Sequence, residues 1–163
     1  MAAYWSVSAD TVALVNGALN GGISALGCLA GGALCLRYSS RRVYAAVGLL
    51  MAGVALAMAF TPFVPASFVV YNLAYAFVTG LAYAAFTGFV LDAIGKGAAA
   101  TKYSAFASIS NAPITYMGLI LAAVETRRGP QWMLAAEAVA GIVGLVVVLG
   151  LASLLPRREA ATA

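Results

Sequence analysis

The chain has no histidine, two cysteines, and only nine Lys or Arg and five Asp or Glu among 163 residues. Each scarcity excludes something. Without histidine, the side chain that most often binds metals and moves protons near neutral pH is missing. No cluster of Cys, Asp and Glu at ligand spacing replaces it, so no metal, no cofactor and no enzymatic activity are expected. No phosphate loop of the Walker type is present, and Gly95-Lys96-Gly97 reads as a turn. Cys28 and Cys35 lie seven residues apart in one apolar run. On a helix that is about 10 Å, too far for a disulfide, so both read as small packing residues. Lys and Arg are absent from the first 36 residues, which leaves no basic region for a cleavable signal. The charge count is too low to coat a water-soluble globule, whose residues are about 25% charged. The net charge of +4 does not point to nucleic acid, because the basic residues fall in short clusters between apolar runs and form no stripe.

What is abundant is apolar. Hydrophobic residues make up 64% of the chain, and the mean hydropathy is +0.98. The charge-free runs from Asp10 to Arg37, Lys102 to Glu125 and Glu137 to Arg157 are each about 20 residues or longer, enough to span a bilayer. The run from Arg42 to Asp92 holds two spans divided by Thr61-Pro62-Phe63-Val64-Pro65. The chain therefore reads as an all-α integral membrane protein, a single transmembrane domain over 1–163. Its five helices fall at about 11–36, 43–63, 67–91, 101–124 and 130–155. Short connections predict antiparallel neighbours, and Pro130 suits the first turn of the last helix.

Orientation follows from the basic residues. Arg37, Arg41, Arg42, Lys96, Lys102, Arg157 and Arg158 fall on one side, and only Arg127 and Arg128 on the other. The positive-inside rule puts the first side in the cytoplasm, the N-terminus outside and the C-terminus inside, in the cell's inner or plasma membrane. Tyr4, Trp5 and Trp132 would mark the outer boundary, and Tyr38 and Tyr44 the inner one.

The helices differ in polarity. The second and fifth are nearly uniformly apolar and read as lipid-facing supports. The first carries Asn16, Asn20 and Ser24 on one face, together with Gly17/Gly21 and Gly27/Gly31 at the four-residue spacing that lets helix backbones approach. The third carries a small-residue ridge, Ala76, Gly80, Ala84 and Gly88, beside Tyr71, Tyr75, Thr79, Tyr83 and Thr87, with Asn72 at its start. That sector suits either a hydrated path or a hydrogen-bonded helix interface. In the fourth helix Thr101, Ser104, Ser108, Asn111 and Thr115 share one face. Pro113 interrupts the same helix, with Ser110 and Asn111 near enough to serve the freed backbone groups. Glu137 is the only acid well inside a span. It reads either as a proton-coupling carboxyl or as a structural, interfacial one. Asp92 is placed to pair with Lys96 or Lys102.

The stretch Gly31-Gly32-Ala33-Leu34-Cys35-Leu36-Arg37-Tyr38-Ser39-Ser40-Arg41-Arg42 resembles the cytoplasmic loop motif of the major facilitator superfamily, roughly G-x-L-x-D-R-x-G-R-R. Gly32, Arg37, Arg41 and Arg42 carry the likeness. Leu36 stands where the family has its acid and Ser39 where it has a glycine, with one extra residue. Gly80-Leu81-Ala82-Tyr83-Ala84-Ala85-Phe86 and Ala98-Ala99-Ala100-Thr101-Lys102-Tyr103-Ser104-Ala105-Phe106-Ala107-Ser108 resemble the helix 10–11 region of the muropeptide permease and acetyl-coenzyme A transporter branch. The resemblance implies that the chain is the C-terminal portion of such a transporter, helices 8–12 of twelve, moving a small solute by alternating access. Tyr71, Asn72, Tyr75, Thr79, Tyr83, Asn16 and Asn20 would then line the substrate path. Ser108, Asn111 and Thr115 would face a missing N-terminal half. The alternative expectation is a small structural or accessory membrane protein that forms homo-oligomers through its glycine faces. Either way the partners are the lipid bilayer and, for a transporter, a small-molecule solute.

Overall fold

The computed structural model describes residues 2–94 and 98–154. The Gly95–Gly97 turn, Lys96, Arg157 and Arg158 lie outside the described residues. Among the described residues there is no strand, and five helices are long and apolar enough to cross a membrane. They are α1 (Ala9–Arg37), α2 (Ser40–Phe60), α3 (Pro65–Ile94), α4 (Ala99–Arg128) and α5 (Pro130–Leu154). A single 3-10 turn, Ala2–Trp5, precedes them.

Local chemistry sets the boundaries. Ser8 caps α1, its Oγ accepting from the Thr11 backbone N–H at 3.2 Å. Within α1, Val15–Leu19 widens into a π turn, which inserts a residue and re-aims the side chains around it. Between α2 and α3 the buried Ser67 hydroxyl donates to the Pro62 and Val64 carbonyls, both at 2.8 Å, and its oxygen accepts from the Val64 N–H. Gly129 closes α4 at φ +88, its N–H donating to the Glu125 carbonyl at 2.8 Å, and Pro130 opens α5. Only glycine adopts that backbone readily, and proline cannot continue the preceding helix.

The tightest contact pairs α1 with α3, not with its sequence neighbour α2. A Cβ added at Gly27 would overlap the Phe77 carbonyl oxygen, and one at Gly80 the Ser24 carbonyl oxygen. One at Gly31 would sit 2.9 Å from the Ala84 Cβ and 3.0 Å from the Leu81 carbonyl oxygen. Residue numbers rise together along both helices, so the pair is parallel. The expectation of antiparallel neighbours holds for α2 and α3, which are joined at one end by Tyr44 stacked on Phe89 and at the other by Tyr71 bonded to Thr61. Helix α1 is therefore antiparallel to α2 as well, but it packs mainly on α3, because two glycine-rich ridges offer closer packing than α2 does.

The roles expected of the bland helices hold only in part. Helix α2 keeps an uncovered apolar side with Leu49, Leu50 and Phe60 exposed, but its other side is interior. It lies between α3 and α5 and buries Val43, Val47, Ala52, Ala55, Met58 and Ala59. Helix α4 buries none of its residues and touches the bundle mainly along α5. Helix α5 behaves partly as expected, with Met133, Leu134 and Ala138 buried and Ile142, Val143 and Val146 exposed. Near the N-terminal ends of α1, α3 and α5 the core gathers Trp5, Val15, Met58, Ala59, Phe68, Met133 and Leu134.

Candidate functional site

That core is incomplete on one side. Trp5, Asn16, Met58, Phe68, Asn72, Tyr75, Leu134 and Glu137 line a cavity of about 330 Å³, at the lower end of the range for small-molecule sites. Each element contributes for a local reason. The 3-10 turn folds Trp5 back over the bundle, where its ring meets Phe63 at 4.4 Å and Phe68 at 6.1 Å between centroids. Asn16 lies within the π turn of α1. Phe68, Asn72 and Tyr75 follow one another at helical spacing on α3. Leu134 and Glu137 are one turn apart on α5. Beneath them Ala52, Ala55 and Ala138 pack together against Tyr75 and bring α2 and α5 close.

The polar groups are only partly satisfied. Asn72 Nδ2 donates to the Phe68 carbonyl at 2.8 Å, which leaves its side-chain oxygen as a free acceptor. The Tyr75 hydroxyl faces the Glu137 carboxyl yet meets no partner at hydrogen-bonding geometry, and the buried indole N–H of Trp5 has none either. Each unsatisfied group costs about 1–3 kcal/mol. The half-buried Glu137 has no ion-pair partner among the described residues.

Of the residues expected along a substrate path, Asn16, Asn72 and Tyr75 meet at this cavity, and Glu137 joins them. The others do not. The Thr61 hydroxyl donates to the Ala57 carbonyl, so Tyr71 donates to Thr61 Oγ1 at 2.7 Å and is held in the α2–α3 connection. Asn20 and Thr79 are half-buried away from the cavity, and Tyr83 is 61% exposed. Thr87 bonds Tyr103 at 3.3 Å and ties α3 to α4. Ser108, Asn111 and Thr115 all lie on the uncovered side of α4.

Several other expectations need correction. Trp5 is no boundary anchor but 0% exposed, since its ring fills the space above Phe68. Trp132 does lie exposed, with the Arg128 guanidinium 5.6 Å from its ring centre. Ser110 and Asn111 both donate to the Ala107 carbonyl, so they do not serve the Ile109 carbonyl that Pro113 deprives. Lys102 donates to the Ile94 carbonyl at 3.1 Å at the end of α3, not to Asp92. Gly27 and Gly31 cannot form an oligomer face, because α3 already occupies it. Gly17 and Gly21 have open space around them. In the loop motif, Gly32 is unobstructed, Arg37 ends α1, and Arg41 shares a shallow pocket with Ser39, Phe89 and Asp92. Arg42 borders an apolar groove between α1 and α2.

Sequence reasoning missed Trp5, Met58, Phe68 and Leu134 as site residues. Met58, Phe68 and Leu134 look no different from core, and only the nearby turn residues Ser6 and Ser8 hint that the chain folds back at Trp5. Comparison with known protein families, curated proteins and solved structures finds no match.

Proposed function

We propose that the chain is the C-terminal part of a secondary-active membrane permease that moves a small solute by alternating access. The observation that carries this reading is the cavity of Asn16, Asn72, Tyr75 and Glu137 inside a bundle of apolar helices. Polar and ionisable groups at membrane depth are expensive and cluster on solute and proton routes. In this reading Glu137 is the candidate coupling carboxyl. The major-facilitator resemblance supports it, with the five spans in the place of helices 8–12, the N-terminus outside and the C-terminus cytoplasmic. The hydroxyl- and amide-bearing face of α4 supports it too. Ser108, Asn111 and Thr115 are exposed there, and that face would meet the transporter's other half. The open Gly17/Gly21 face supports a second reading, an accessory membrane protein that assembles through α1.

Spin labels at positions 108, 111 and 115, in native membranes, test the larger assembly. Shielding from oxygen dissolved in the lipid is expected at all three. Free access from the lipid phase at all three would refute the reading, as would robust solute uptake by vesicles containing these 163 residues as their only protein.

A further inference from the structure

The cavity has one electrical character. Its only charged group is the Glu137 carboxyl, which has no Lys or Arg partner among the described residues. Arg128, at the end of α4, is engaged over the Trp132 ring. Trp5, Phe68 and Tyr75 line the same cavity with aromatic rings, whose faces are electron-rich. The Asn72 amide commits one N–H to the Phe68 carbonyl and keeps its carbonyl oxygen available as an acceptor. The net character of the lining favours a cation, because a carboxyl is its one ionisable acid and no Lys or Arg stands in it, while the Asn16 and Asn72 amides can serve a neutral polar group.

The rest of the lining narrows the choice. Met58, Phe68 and Leu134 give apolar walls, which a hydrated inorganic ion would find costly. About 330 Å³ also far exceeds what a bare ion needs. The Asn16 and Asn72 amides also line the cavity, so a ligand with a hydrogen-bonding group has somewhere to place it. We propose that the cavity binds a small organic ammonium carrying one hydroxyl or similar polar group. The ammonium sits against the Glu137 carboxylate within the aromatic rings, and the apolar carbon atoms rest on Met58 and Leu134. This assignment rests on the solute-carrier reading and names the class of solute.

Trp5 and Trp132 are the only tryptophans, so Trp132→Phe leaves Trp5 as the sole indole reporter at the site. Choline is the probe, added to the full chain in lipid nanodiscs while tryptophan emission is followed. Its neutral isostere, 3,3-dimethyl-1-butanol, is the control. A saturable emission change is expected with choline, with the neutral alcohol binding at least about tenfold more weakly, since only the cation gains from the carboxylate and ring faces. Glu137→Gln should weaken choline to a similar extent, while Asp92→Asn, at the opposite end of α3, should leave it unchanged. No saturable response to choline, equal binding of choline and the alcohol, or undiminished binding by Glu137→Gln would each overturn the proposal. The comparison of the two probes needs no Glu137 variant, so misfolding of Glu137→Gln does not rescue it. Choline binding without choline-driven uptake in native vesicles would sink the transporter reading alone. Uptake of neutral or anionic solutes without choline binding would sink this one alone.

Discussion

Replacing Gly27 by alanine should separate α1 from α3. The new Cβ would overlap the Phe77 carbonyl oxygen and lie 3.2 Å from the Gly80 Cα. Both are backbone atoms, so no rotamer change relieves the overlap and one helix must move. At Gly31 the nearest atoms, 2.9 Å and 3.0 Å away, include the Ala84 methyl. The shortfall there is about half an ångström from ordinary contact, and it costs a fraction of the dispersion well for every atom pair along the seam. Overpacking of this kind costs about 1–3 kcal/mol, and Gly27→Ala belongs at the upper end because backbone meets backbone. Gly21 is the internal control. Nothing lies within 4 Å of its would-be Cβ, so Gly21→Ala should gain up to about 0.5–1 kcal/mol of helix stability. The two alanines therefore act with opposite sign on one helix. Unfolding in mixed micelles, followed by circular dichroism, reads both. An unchanged midpoint for Gly27→Ala would refute the parallel α1–α3 seam. A homo-oligomer lost in Gly27→Leu while the monomer keeps its stability would do the same, and would return that face to an intermolecular role.

Further outcomes follow from single contacts. Thr61→Val should destabilise more than Tyr71→Phe in the same unfolding assay. The latter removes one hydrogen bond worth about 0.5–1.5 kcal/mol, whereas the former also strands the Tyr71 hydroxyl without its acceptor. Gly129→Ala should cost about 1–3 kcal/mol although space is open around it, because φ +88 with ψ 176 is a backbone region nearly reserved for glycine. In Trp132→Phe the remaining Trp5 should emit at short wavelength and resist acrylamide. In Trp5→Phe the remaining Trp132 should be quenched readily, and similar quenching of the two would contradict the buried placement of Trp5.

The five long apolar helices were legible because charges and prolines punctuate them, and their limits shift by only a few residues. What lies inside the bundle was not legible in the same way. In water, a bland helix such as α2 would be sorted by its apolar stripe, but lipid tails are as apolar as a helix partner. The Ala52, Ala55 and Ala59 row therefore carries no sign of which side it faces. The same ambiguity hid the α1–α3 pairing. The glycine spacing announces close approach, yet Gly27 and Gly31 are equally suited to a neighbour in the same chain or in another. Within the candidate site, Asn16, Asn72, Tyr75 and Glu137 drew notice because polar groups are rare in such a chain. Tyr71, Thr79 and Tyr83 sit on the same ridge, and periodicity alone does not show at what depth a cavity opens. Trp5 was misplaced for a related reason, since an aromatic next to a span looks the same whether it floats at the interface or folds inward.

The account stands on the chain crossing the bilayer five times with its arginine-rich end in the cytoplasm. Single cysteines, in a background where Cys28 and Cys35 are alanine, report this directly. Positions 66 and 131 should react with an impermeant maleimide on intact cells. Positions 39 and 99 should react only after the membrane is opened. Labelling of all four from one side, or of 39 and 99 from outside, would contradict the arrangement on which the cavity and its solute route depend.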